Sequence, residues 1–139
     1  MVPHPGHFEA LKEIIEVKES EGLNEVKEVY MGGSPEVMGS GRGVLHAPLI
    51  DEIREQTEYA HQHGIKMNIA LNSPCTGGHH LTFEGYKMFE WYLEELNKAC
   101  VDGVIVAEPY LVELLREFPM KTIVSCLAYV DAPQRARFF

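Results

Sequence analysis

Residues 65–80 read Ile65-Lys66-Met67-Asn68-Ile69-Ala70-Leu71 and then Asn72-Ser73-Pro74-Cys75-Thr76-Gly77-Gly78-His79-His80. From Thr82 on, Phe83, Tyr86, Phe89, Leu93, Leu96 and Cys100 form one apolar stripe. The first run is short and apolar almost throughout, which predicts a strand buried on both faces. The Gly- and Pro-containing run predicts a loop, and Thr82 is a natural N-cap, with Glu84 placed near the positive helix end. Strand, loop and amphipathic helix in that order make one βα unit.

The unit recurs on both sides. Upstream, Phe8, Leu11, Ile14 and Ile15 predict a helix that fades before Gly22, and Val26 to Met31 predicts a strand stopped by Gly32-Gly33. Pro48 suits a first helical turn, and Leu49, Ile53, Thr57 and Ala60 continue at helical spacing until Gly64. Downstream, Asp102-Gly103 turns into Val104-Ile105-Val106-Ala107. Pro109 opens a helix with Leu111, Leu114, Leu115 and Phe118 inside, and Met120 to Leu127 predicts a further strand.

Apolar strands alternating with helices predict an α/β fold with a parallel sheet. Two architectures fit: about half of a (β/α)8 barrel, which needs ~250 residues when complete, or a five-stranded doubly wound sheet. Met1-Val2-Pro3 resembles a strand stub, and Ala132 to Phe139 starts a helix ending on Phe138-Phe139. The expectation is one domain over 1–139, the N-terminal part of a larger barrel, whose open sheet edges favour a homo-oligomer, a dimer.

Composition narrows the function. With 45% apolar and 24% charged residues the chain is globular, and no apolar run approaches the ~20 residues of a membrane helix. The start lacks a signal-peptide pattern, so a cytoplasmic location is expected, with no membrane partner. Three cysteines, Cys75, Cys100 and Cys126, form neither a disulfide framework nor a CxxC pair. Cys100 and Cys126 are expected in the core. A net charge of −9 argues against a nucleic-acid partner.

Three stretches, Val29-Tyr30-Met31-Gly32-Gly33, Tyr59-Ala60-His61-Gln62-His63-Gly64-Ile65-Lys66 and Val101-Asp102-Gly103-Val104-Ile105-Val106, resemble in order and spacing the N-terminal half of the U32 peptidase family. Here the last strand ends Ala107-Glu108-Pro109, where an Asp-Pro is familiar in the family. The resemblance implies a barrel core and a collagenase-like peptidase acting on a peptide or small-molecule substrate. For other members it implies oxygen-independent hydroxylation of tRNA, rRNA or a quinone precursor. Some of those are similar to iron–sulfur proteins with their cluster cysteines in the later half.

Functional groups of βα proteins gather where strands end. This rule selects His4, Gly32, Gly33 and Ser125 as substrate-binding candidates and Arg42, Asn72 and Glu108 as catalytic ones. Glu108 is either a rim carboxylate acting as general base or a first-turn Glu favoured by the helix dipole. Asn72 offers a donor and an acceptor, or simply turn chemistry. Gly39-Ser40-Gly41-Arg42-Gly43 matches no phosphate-loop pattern and is expected to be a mobile lid or gatepost. Cys75, His79 and His80 are a candidate metal set one ligand short of a closed site. No cofactor is required by the residues present, and neither a Ser-His-Asp order nor HExxH is legible.

Overall fold

The computed structural model describes residues 1–41, 46, 48–137 and 139. Five strands, β1 (Val2–Pro3), β2 (Glu28–Gly32), β3 (Lys66–Leu71), β4 (Gly103–Val106) and β5 (Lys121–Val124), alternate with helices. These are α1 (Phe8–Ser20), α2 (Ile50–Gln62), α3 (Phe83–Lys98), α4 (Pro109–Leu115) and α5 (Pro133–Ala136), with 3-10 turns at His79–Leu81 and Cys126–Ala128.

All pairings are parallel and the spatial order is β1-β2-β3-β4-β5, the order of the chain. Crossovers of one hand between consecutive strands put every helix on the same face, whereas a doubly wound sheet reverses its order at a switch point. Burial agrees. Val29, Met31, Met67, Ile69, Leu71, Val104 and Val106 join the helix residues Leu11, Ile53, Phe89, Leu93, Leu96 and Leu111 in one core. Their alternates Tyr30, Asn68, Ala70, Ile105 and Ile123 stay outside it. The sheet is therefore an arc of a barrel, and the doubly wound alternative is corrected by strand order and by one-sided helix cover.

The inner face is set by register. Tyr30, Asn68, Gly103 and Lys121 form one row, and Gly32, Ala70, Ile105 and Ile123 the next. Lys121 Nζ lies 3.8 Å from Glu28 Oε1 although β3 and β4 intervene, as a concave face allows. Gly103 keeps this face open to Asn68, for a Cβ there would stand 2.5 Å from Asn68 Oδ1. At the same N-terminal ends of the strands, Asp102 Oδ2 accepts from Met67 N–H at 2.8 Å and meets His61 Nε2 at 2.7 Å, which locks the end of α2 to the start of β4.

Several boundaries depart from the sequence expectation. The strand expected to reach Leu127 stops at Val124, because Ser125 Oγ accepts from Leu127 N–H at 3.2 Å and turns the chain into a 3-10 turn. That places Cys126 on the surface rather than in the core. Cys100, also expected inside, is exposed with a φ of 59° just past the end of α3. Helix α2 begins two residues after Pro48, where Glu52 Oε2 accepts from Leu49 N–H at 2.7 Å.

Candidate functional site at the strand ends

The C-terminal ends of β3, β4 and β5 open into a cleft of about 320 Å³ whose walls include Tyr30, Gly41, Asn72, Ile105, Ile123 and Ser125. Continuing the register one row past the strands brings Asn72 and Ser125 level on either side of Ala107. A methyl group at that middle position leaves the two polar side chains room to meet. Asn72 Nδ2 donates to Ser125 Oγ at 2.8 Å, across a pair 53 residues apart.

The orientation of the Asn72 amide follows from its second partner. Gly41 N–H can only donate, so the atom it reaches at 3.0 Å is Asn72 Oδ1, and the NH₂ faces Ser125. Ser125 Oγ thereby accepts two bonds, from Asn72 and from Leu127 N–H at 3.2 Å. The network pins the loop after β2 to the ends of β3 and β5. Of the Gly39–Gly43 stretch, Gly39 is buried and Gly41 donates to Asn72, so the described part stands as one wall of the cleft. Arg42, like Gly43, lies outside the described residues.

The other sequence candidates are dispersed. Gly32 ends β2 on the inner face, paired with Ala70, but Gly33 turns the opposite way. A Cβ on Gly33 would meet Leu71 Cδ2 at 2.5 Å and the Tyr92 hydroxyl at 3.3 Å, so this glycine serves close packing with α3. The same hydroxyl accepts from Ser34 N–H at 3.0 Å, and burial pushes the Tyr92 phenol pKa up. Glu108 is the half-buried N-cap residue of α4 and makes no side-chain cap. Its neighbours Ala107 and Pro109 line a second cleft of about 430 Å³ with Arg135 and Phe139.

His4 follows β1, where its N–H donates to Tyr30 O at 2.9 Å. Its side chain is buried, with Nδ1 accepting from Gly6 N–H at 3.2 Å, and it is not among the residues lining the Asn72–Ser125 cleft. Desolvation, then the neighbouring His7, lower its pKa to about 4. Cys75, His79 and His80 are all exposed, and Thr76 Oγ1 engages His80 Nδ1. Among the described residues no three His, Cys, Asp or Glu groups converge as metal ligands would.

Sequence reasoning did not reach the floor formed by Ile105 and Ile123, nor the Gly41 amide. The two-residue alternation that carries Ser125 back to Ile123 and Asn72 back to Ala70 is the signal for that floor. Among the described residues, no helix is long and apolar enough to cross a membrane.

Comparison with known proteins gives a single answer. The protein named uncharacterized protease MJ1657, from Methanocaldococcus jannaschii, is 36% identical over 144 residues, covering 99% of this chain and 43% of that protein. The solved structure of the U32 peptidase Mk0906 superposes with a TM-score of 0.69 at 30% identity, over 81% of this chain and 45% of that one. This chain thus spans less than half the length of each. Since the sequence profile of Peptidase family U32 matches residues 7–139, nearly the entire barrel arc, the chain belongs to that family.

Proposed function

We propose that the concave strand-end face is part of the substrate cavity of a U32-type peptidase, and that this chain by itself binds peptide without hydrolysing it. The observation that carries this reading is the hydrogen-bonded Gly41–Asn72–Ser125 wall above an apolar floor at the C-terminal strand ends, where barrel enzymes keep their sites. Among the described residues no histidine or carboxylate bonds to Ser125, so this wall orients a substrate rather than activating a nucleophile. Titrating isotope-labelled protein with peptides of heat-denatured collagen is expected to shift the amide resonances of Gly41, Asn72, Ser125 and Leu127, with the peptides left intact. Shifts confined to the helical face, or cleavage of the peptides, would reject it.

A second reading is favoured by the outer edge of β5, which has one hydrogen-bonded neighbour and carries Val124 at 39% exposure beside the exposed Tyr129 and Val130. Copies of the chain pair through this edge. Light scattering is expected to give twice the 15.7 kDa chain mass, and a monomer at high concentration would reject the pairing.

A further inference from the structure

We infer that Ser125 presents its hydroxyl proton to a neutral carbonyl oxygen of an apolar acyl or peptidyl group seated on the Ile105–Ile123 floor, as a substrate-positioning residue and not as a nucleophile. The inference rests on the cleft being the substrate wall proposed above.

A serine hydroxyl has one proton and two lone pairs. Gly41 N–H fixes Asn72 Oδ1, which directs the Asn72 NH₂ onto Ser125 Oγ at 2.8 Å, and Leu127 N–H occupies the second lone pair at 3.2 Å. Among the described residues no acceptor takes the Ser125 proton, which lies at the corner of the oxygen that neither donor fills. Ser125 is 7% exposed, so the group it meets there must bring an acceptor and displace little water. Ser125 lines both the 320 Å³ cleft and an adjoining one of about 610 Å³ walled by Val124, Tyr129 and Val130. The hydroxyl therefore sits at the seam of two largely apolar surfaces, and a carbonyl flanked by aliphatic side chains satisfies both. Among the described residues no base bonds to the hydroxyl to take its proton for attack on a carbonyl carbon, and both of its lone pairs are engaged, which favours positioning over nucleophilic attack in this arrangement.

The two partners provide a test that truncation alone does not. Ser125→Ala removes the donor. Asn72→Asp keeps the shape and still accepts from Gly41 N–H, but a carboxylate only accepts, so it captures the Ser125 proton and withdraws it from the ligand. The probe is an acetyl-capped dileucine amide, titrated into the full chain and into both variants, with backbone amide resonances as readout. Binding is expected about three- to tenfold weaker in each variant, the net worth of one neutral hydrogen bond, with the Gly41 resonance of Asn72→Asp staying near its wild-type position as evidence of an intact wall. Cleft shifts with unchanged affinity in Asn72→Asp would overturn the donor role and leave the proposed cavity standing. Absence of cleft shifts with this probe and with collagen peptides would overturn both. Labelling of Ser125 by a fluorophosphonate would overturn the positioning assignment directly.

Discussion

Gly85→Ala is expected to destabilise the fold by about 2–4 kcal/mol, although alanine is the better helix former by ~1 kcal/mol. Gly85 is the third residue of α3 and is buried. A Cβ there would lie 1.9 Å from His79 O, 2.5 Å from His79 C and 2.7 Å from its Cα. These are backbone atoms of the 3-10 turn, so no rotamer change relieves the clash. The same carbonyl accepts from Thr82 N–H at 3.2 Å, and Thr82 Oγ1 caps α3 by accepting from Gly85 N–H at 3.1 Å. Moving the turn away therefore strains the cap as well, whose loss alone costs ~1 kcal/mol. Urea denaturation of both proteins measures the difference. A variant as stable as the wild type would show that the turn shifts freely and that glycine at this position is not demanded by packing.

What the sequence revealed follows from which forces are local. The β3–loop–α3 unit is legible because period-2 and period-3.6 patterns and the Thr82 cap all act within a few residues. The end of β5 is not. The run from Met120 to Leu127, with its β-branched Thr122, Ile123 and Val124, favours extension, and it is overridden by one serine hydroxyl bonding two residues ahead. The misplacement of Cys126 follows from the same bond.

The candidate site divides in the same way. Asn72 and Ser125 are each selected by their strand-end position, but their mutual bond depends on register, on the small Ala107 between them and on the inward curve of the sheet. Each of these is fixed by pairings between distant segments. His4 satisfies the strand-end rule equally well, yet its side chain folds back onto Gly6, which no local pattern announces. The Gly-Gly after β2 is likewise one motif in sequence and two functions in space, Gly32 facing the concave side and Gly33 the α3 core.

That folded-back histidine makes stability depend on pH. In the unfolded chain an imidazole takes up its proton near pH 6.5, whereas burial first, and the proximity of His7 second, hold the His4 pKa at about 4 in the fold. The folded protein therefore favours the neutral ring. The stabilisation is complete above about pH 6.5 and is lost progressively as pH falls towards 4, because the unfolded state binds the proton first. At 1.36 kcal/mol per pKa unit the contribution is on the order of 3 kcal/mol. His4→Asn isolates it, since an asparagine oxygen can still accept from Gly6 N–H in an Asx turn but carries no titrating group. The stability gap between wild type and variant, from urea unfolding at pH 7.5, 5.5 and 4, is expected to fall by roughly this amount across the range. Parallel pH curves for the two proteins would mean that the imidazole is not held neutral by the fold, and that His4 is accessible to protons at the end of β1.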